Sequence, residues 1–324
     1  LDHHTESIPK EAAVLEISWD LVSRTDWNRC AENAEKVPFE QSWAYGEAIA
    51  ESGGEVRRAV IRRNGEPFAL AQIFTKRVGA LASIAQLLRG PLFLTPSPSA
   101  PEIFETLRLL KQDKPPYPRT LRFWTPDLLR SAENDLMFKR LKWRRVITGH
   151  NTAWLNLSLS SDNLRKHLDG NWRNGLVKAE KQSLKIKASH DGKTIKWLIE
   201  QYEKLRKSRR FGGPSPALLR SVQRHQTQRE DFLVLRASSR RDPVSAILLV
   251  RHNDSATYVI GWSNEEGRQK NATALLLWQG ILELQTAGVR WLDLGGIDTR
   301  AAPGIARFKL GLSGDAITLS GTYF

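Results

Sequence analysis

Toward the end of the 324-residue sequence, the apolar run Val289-Arg290-Trp291-Leu292-Asp293-Leu294 stops at Gly295-Gly296-Ile297-Asp298, and Arg307-Phe308-Lys309 follows shortly after. The run reads as a short buried strand. Paired glycines at its carboxyl end let the backbone turn sharply and come close to a ligand. Acyl transfer to an amine suits such a place. Attack of an amine on an acyl ester builds negative charge on the carbonyl oxygen, and a fixed cation or N–H donors beside that oxygen lower the barrier. Lys309 is the candidate cation, and a solvated lysine on a terminal helix is the plain alternative. Asp298 could orient or deprotonate the amine, or cap the following turn. Gly295, Gly296, Arg307 and Phe308 are candidate substrate contacts. Tyr258 and Trp262, in Thr257-Tyr258-Val259-Ile260-Gly261-Trp262-Ser263, could stack on a nucleobase or the acyl group, or simply fill the core.

Other chemistries have little support. The seven histidines, at positions 3, 4, 150, 167, 190, 225 and 252, show no metal-ligand spacing. Cys30, the single cysteine, has no histidine nearby and no partner for a disulfide or redox pair. Direct aminolysis without a covalent enzyme intermediate or a metal is the simpler expectation. A reducing setting, the cytoplasm, fits one cysteine best. The apolar stretch Ala80 to Leu88 is far shorter than the roughly 20 residues that span a bilayer, and no leader-like segment precedes the fold. The sequence begins at Leu1 and Met137 is its one methionine; residues 1–12 receive no functional role.

Positive charge is concentrated. The total is +14, from 49 Lys+Arg and 35 Asp+Glu. Residues 1–150 hold 22 basic and 19 acidic side chains, a net of +3, whereas residues 151–324 hold 27 and 16, a net of +11. Residues 161–210 alone carry 14 basic and 6 acidic side chains. Such an excess attracts phosphate-rich partners, although a solubilising surface is the bland reading. Arg173, Lys178, Arg209, Arg210 and Arg268 are the candidate phosphate contacts.

The length suits two domains, placed at 13–150 and 151–324, and the 40% hydrophobic content is that of a globular chain. Each half contains a hairpin whose returning strand begins just after a proline. The first is Arg58 to Arg63 with Phe68 to Phe74, across Asn64-Gly65-Glu66-Pro67; the second is Phe232 to Arg236 with Val244 to Val250, across Arg241-Asp242-Pro243. A helical region and a short strand follow each, Leu121 to Trp124 and Val289 to Leu294, so the chain reads as a duplicated α/β unit. Proline-rich loops at 95–101 and 114–118 flank a helix at about 102–112. The second half opens with a strand at 152–157. Ser160-Ser161-Asp162 then offer a cap for a helix reaching about Gln182, with Leu164, Leu168, Trp172, Leu176 and Ala179 on one face. A second amphipathic helix, with Ile195, Leu198, Ile199, Tyr202 and Leu205 apolar, ends in Arg206-Lys207-Ser208-Arg209-Arg210 before Gly212-Gly213-Pro214.

The ordered set Gln41-Ser42-x-Ala44, Leu88-Arg89-Gly90-Pro91, Trp172-Arg173-Asn174, Lys178-Ala179-Glu180, Thr257 to Ser263, Leu294 to Asp298 and Pro303 to Gly311 resembles the Fem-type aminoacyltransferases. These enzymes move an amino acid from aminoacyl-tRNA onto an amine. More loosely, the set is similar to the wider acetyltransferase-like (GNAT) superfamily, and the resemblance covers nearly the whole chain. It implies an α/β fold of two tandem GNAT-like domains, each a mixed twisted sheet flanked by helices, with a last strand able to pack back on the first domain. It also implies that the Phe308-Lys309 pair lies beside the acyl acceptor, that aminoacyl-tRNA is a co-substrate, and that no bound cofactor is needed.

The donor divides this superfamily. Coenzyme A users present glycine-spaced N–H groups to pyrophosphate at a helix entrance. Here the loop reads Glu265-Glu266-Gly267-Arg268-Gln269-Lys270-Asn271-Ala272-Thr273-Ala274, with Asn271 or Ala272 where glycine is expected and two glutamates beside it. That favours aminoacyl-tRNA over acyl-CoA. The acceptor would be an amine on a peptide, a cell-wall precursor or a small molecule. The resemblance places a phosphate-holding lysine after the Gln-Ser motif in members acting on peptidoglycan precursors, and Trp43-Ala44-Tyr45-Gly46-Glu47 lacks one. A nonenzymatic RNA- or nucleotide-binding module on a decayed fold is the third reading.

Overall fold

Turn chemistry sets the first hairpin. Asn64 and Gly65 both take positive φ, +52° and +88°, the conformation of a two-residue turn whose twist matches the flanking strands. The computed structural model describes residues 14–113, 117 and 119–324. Residues 1–12 and, apart from Tyr117, the expected loop at 114–118 lie outside the described residues.

The first half runs through β1 (Leu15–Trp19), α1 (Arg24–Ala31), α2 (Trp43–Glu51), β2 (Glu55–Arg63), β3 (Glu66–Val78), β4 (Ala82–Leu88), β5 (Leu92–Phe93), α3 (Ala100–Lys111), β6 (Arg119–Thr125), α4 (Ala132–Arg140) and β7 (Arg145–Ile147). The second continues with β8 (Asn151–Asn156), α5 (Ser161–His167), α6 (Gly170–Glu180), β9 (Leu184–Ser189), α7 (Gly192–Arg209), α8 (Pro216–Arg224), β10 (Phe232–Ser239), β11 (Asp242–His252) and β12 (Ser255–Ser263). It closes with α9 (Glu265–Gln269), α10 (Ala272–Thr286), β13 (Trp291–Asp293), α11 (Pro303–Leu310), β14 (Asp315–Thr318) and β15 (Thr322–Tyr323). Two mixed sheets result, ordered β1-β2-β3-β4-β6-β15-β7, with β5 on β3, and β14-β8-β13-β12-β11-β10-β9. The last strand, β15, leaves its own half and pairs with β6 and β7.

The expected helix from Ser161 to Gln182 is corrected to two. Leu168 is extended (ψ 137°), and the Asp169 side chain caps a new start by accepting the Asn171 N–H at 2.9 Å. A local cap interrupts the backbone without disturbing the apolar face, since Leu164, Leu168, Trp172, Leu176 and Ala179 are all buried. β9, which sequence periodicity did not reveal, pairs with β10 at the sheet edge.

One side of the second sheet is covered by α5, α6, α10 and α11, burying Leu176, Leu276, Leu277, Ile281 and Ala306 among others. The other is covered by α7 and α8, and this core also takes in Phe39, Ala44 and Ala48 from the first half. The halves therefore share buried apolar surface, each large side chain contributing about 1.5–3 kcal/mol. Polar contacts follow the same seam. The Val37 N–H donates to Ser255 Oγ at 3.0 Å, and Arg24 Nη2 donates to the His225 carbonyl at 2.7 Å.

Candidate active site

β12 and β13 run parallel for three pairs only, Ser255 with Trp291, Ala256 with Leu292 and Thr257 with Asp293. Beyond them the strands part. The Leu294 and Ile297 N–H groups turn instead to the β8 carbonyls of Ala153 (2.9 Å) and Asn151 (2.8 Å). Gly295-Gly296 thus forms a loop between two anchors, facing Tyr258 across the opening. Gly295 takes φ +69°, and a Cβ there would lie 3.0 Å from the Tyr258 carbonyl, so only glycine fits without strain. On the far side of β12 the register with β11 skips between Leu248 and Leu249, leaving Val259 as an extra residue.

Lys309, in the last turn of α11, reaches into this opening. It is only 8% exposed, its Nζ donates to the Gly296 carbonyl at 2.8 Å, and it stands 5.6 Å from the Tyr258 ring centroid. Burial pulls its pKa down to about 8, with the Asp293 charge working in the opposite direction. The ammonium therefore predominates at pH 7 by about ten to one, and a cation fixed at a strand opening can neutralise charge developing on an acyl oxygen. Phe308 lies against Trp172, ring centroids 5.8 Å apart, and the buried Trp172 Nε1 finds no partner. Arg307 is exposed on the same helix. The exposed Asp298 spends Oδ1 on the N–H groups of Arg300 (2.9 Å) and Ala301 (2.8 Å), which favours the turn-capping alternative over amine deprotonation.

A buried ionic cluster supports the glycine loop. Asp293, fully buried, accepts the Gly295 N–H at 2.7 Å and the Thr152 hydroxyl on Oδ1, while Oδ2 pairs with Arg89 Nη1. Arg89 comes from the first half and also pairs with Asp127 (3.1 Å) and Glu40 (3.9 Å). Burial would lower the Arg89 pKa, but the charges of Asp127, Asp293 and Glu40 hold it raised. Burial likewise opposes ionisation of Asp293, and Arg89, Thr152 and the Gly295 N–H overcome it, leaving its pKa lowered. Glu40 loses that contest, and burial keeps its pKa raised.

His150, in the connection from β7 to β8, adjoins the same loop. A Cβ on Gly296 would lie 3.0 Å from its Cε1. The ring keeps solvent access, yet the protein packed around it, followed by the Arg89 charge, holds its pKa below the ordinary value. Sequence spacing pointed to neither residue. Arg89 was visible as part of a motif but not as a partner of Asp293, and His150 stands in no pattern.

The remaining expected site residues are dispersed. Trp262, offered with Tyr258 as a stacking or a core residue, shares its strand parity, but the extra residue at Val259 flips the alternation. Tyr258 packs on the α6 and α10 side, with burial pushing its pKa up to about 12, and Trp262 packs on the α7 side against Trp197 at 5.3 Å. Arg173 Nη2 donates to the Lys166 and Leu168 carbonyls, both at 2.9 Å, and so caps α5. Arg268 Nη1 donates to the Ser263 carbonyl at 2.8 Å. Arg209 and Arg210 are exposed at the end of α7, and Lys178 is exposed on α6.

The segment Glu265–Gln269, where glycine-spaced N–H groups were looked for, folds as α9. Lys270 Nζ is engaged by Ser239 Oγ (2.9 Å) and Glu266 (2.7 Å), and the Gly267 N–H by Asn264 Oδ1 (2.8 Å). Gly267 is glycine for packing, since a methyl there would run into the Val244 carbonyl. Gly267→Ala is expected to destabilise the protein by about 1–3 kcal/mol, measured as a lower urea midpoint at unchanged slope.

Residues 164–310 match the family model of the acetyltransferase (GNAT) domain. No curated protein matches the sequence. Among solved structures, FemX is similar with a TM-score of 0.79 at 13% identity, covering 94% of this chain and 96% of that one. A conserved protein of unknown function from Bacteroides thetaiotaomicron is similar with a TM-score of 0.61 at 12% identity, covering 95% and 98%. A tandem GNAT protein from the clavulanic acid biosynthesis pathway gives 0.51 at 12% identity, covering 95% and 98%. The chain has the Fem-type fold, two GNAT-like halves in tandem, and the match to the acetyltransferase (GNAT) domain lies within its second half.

Proposed function

We propose that the protein is an aminoacyltransferase that moves an amino acid from aminoacyl-tRNA to an amine, forming an amide. The observation that carries the reading is the Lys309 ammonium held on the Gly296 carbonyl where β12 and β13 part. An acyl carbonyl in that opening would develop its negative charge beside a fixed cation. The acceptor nitrogen attacks the ester carbon, the carbon–oxygen bond to the ribose breaks, and the ribose oxygen leaves with a proton. His150, against the same loop and disposed to be neutral, is placed to take the proton that the attacking amine loses. The RNA-borne donor is supported by the uneven charge and by the filled entrance at α9.

The GNAT match favours a second reading, an acyl-CoA-dependent N-acyltransferase. Purified protein offered labelled aminoacyl-tRNA or labelled acetyl-CoA, with an extract supplying amine acceptors, separates the two by which label becomes amide-linked. RNase-insensitive transfer from the thioester would sink the leading reading. The pH dependence has a definite sign. Lys309 loses its charge as pH rises through about 8, so turnover should fall above that value. A rate still climbing past pH 9.5 would remove the charge from the mechanism. For the acceptor, the basic groups beside the Gln41-Ser42 motif are both engaged, Arg58 lying 3.5 Å over Trp43 and paired with Glu47 at 2.8 Å, and Arg89 held by its carboxylates. That engagement favours amines other than a nucleotide-linked cell-wall precursor.

A further inference from the structure

The fold groups four of the cations clustered at 161–210 with two from a later turn. α6 ends at the Lys181 cap and leads directly into the edge strand β9, where Lys185 pairs in register with Ser238 and Lys187 with Arg236. The β10–β11 turn beside them carries Arg240 and Arg241. Lys178, Lys181, Lys185, Lys187, Arg240 and Arg241 are all exposed, and among the described residues none forms an ion pair. Of the nearby acids, Glu180 is taken by Arg165 and Glu266 by Lys270, while Asp242 and Glu265 remain. In the first half Arg57, Arg58, Arg63, Arg89, Arg108 and Arg145 are paired, while Lys76, Arg130, Lys139 and Lys142 are exposed, lie outside the ion pairs among the described residues, and serve as the comparison set.

This edge is continuous with the donor entrance. Gly175 of α6 faces Asn271 at the start of α10, 3.7 Å from where its Cβ would be, and Lys270 donates to Ser239, the residue opposite Leu184 in the sheet. On the strip's other flank, Arg236 lies 5.8 Å from the Trp197 ring with its buried Nε unpartnered, and Trp197 meets Trp262 edge-on. We infer that the β9 edge, from Lys178 to Arg241, is the docking surface for the phosphate backbone of an RNA, guiding its 3′ end toward Lys309. The inference rests on the proposed RNA-borne donor. Several unneutralised cations in a row match a polyanion, and half-buried aromatic rings beside them suit stacking bases. An interfacial membrane site needs an apolar face beside its cations, and Val177, at 36%, is the only large apolar side chain exposed in α6, β9 or the β10–β11 turn.

The test compares two variants of equal net charge. One carries Lys185→Gln, Lys187→Gln, Arg240→Gln and Arg241→Gln; the other carries Lys76→Gln, Arg130→Gln, Lys139→Gln and Lys142→Gln, four exposed cations of the first half. Affinity for unacylated tRNA is read by fluorescence anisotropy over a salt series, with thermal unfolding checking that both fold. The edge variant should bind at least about tenfold more weakly, with a salt slope shallower by about 2–4, and the first-half variant within about twofold of wild type. Equal losses in both, or none in the edge variant, would place the RNA elsewhere. Wild-type protein that ignores RNA but holds phosphatidylglycerol vesicles through these residues would make the edge a lipid surface. Edge-dependent RNA binding without transfer from aminoacyl-tRNA would keep the docking surface and remove the proposed activity. Transfer indifferent to the edge variant would do the reverse.

Discussion

Arg89→Ala is expected to destabilise the protein by about 3–5 kcal/mol, the usual cost of removing one partner from a buried ion pair. Arg89 is 6% exposed and answers three carboxylates, of which Asp293 is fully buried. Without the guanidinium, Asp293 keeps Thr152 and the Gly295 N–H but has no compensating positive charge from the first half. Its folded-state pKa, now lowered, should then rise above the unfolded value. The folded variant would bind the extra proton, so its stability should fall as pH rises through the new pKa. The deficit against wild type should therefore be smaller at pH 5 than at pH 8. Urea unfolding at the two pH values measures this. A midpoint shift below about 1 kcal/mol, or a deficit that grows on acidification, would mean that the cluster does not bear on stability as argued. Because Asp293 fixes Gly295, and the Gly295-Gly296 loop supplies the acceptor for Lys309, the same substitution should also reduce activity without touching a substrate.

Local features of the site were legible, and long-range ones were not. Gly295-Gly296 after an apolar run, and Lys309 on a following amphipathic turn, announce themselves within a span of twenty-odd residues because backbone freedom and side-chain charge are local properties. The Arg89–Asp293 pair joins residues 204 positions apart, and no periodicity in either neighbourhood encodes it. His150 is set by how β7 hands over to β8, which one sequence read alone does not show. Trp262 illustrates a sharper limit. Strand alternation is a dependable rule, yet one extra residue at Val259 reverses it, and nothing in Tyr258-Val259-Ile260 marks that bulge. At the level of fold, hairpins with explicit turn residues and helices with apolar stripes gave a duplicated α/β unit, and the resemblance to Fem-type enzymes implied the tandem GNAT-like architecture that the structure has. The break at Leu168 escaped because Asp169-Gly170 interrupts the backbone while leaving the stripe intact.

For Lys309→Met, turnover is expected to fall by at least about tenfold, a loss of roughly 1.4 kcal/mol of transition-state stabilisation, while stability at pH 7 stays unchanged or rises. The two parts follow from one observation. The side chain is 8% exposed and its pKa is drawn from 10.5 to about 8, chiefly by burial. A shift of that size means the fold disfavours the charged lysine relative to the neutral one by roughly 3 kcal/mol, net of the interactions the ammonium makes. Methionine has a similar length and carries no charge to desolvate. The sign can be checked against pH. The folded pKa lies below the unfolded one, so between about 8 and 10.5 the unfolded chain binds the proton and the folded chain does not. Wild-type stability should therefore gain on the variant as pH rises through that window, and any advantage of methionine seen at pH 7 should shrink by pH 10. Thermal unfolding at both pH values, set beside turnover, separates a catalytic lysine from a structural one. A variant that keeps its turnover, or that loses melting temperature and activity together at pH 7, would assign Lys309 to the scaffold. The expected pairing, an inactive protein at least as stable as the parent, is what a group held at a cost to folding for the sake of a reaction should give.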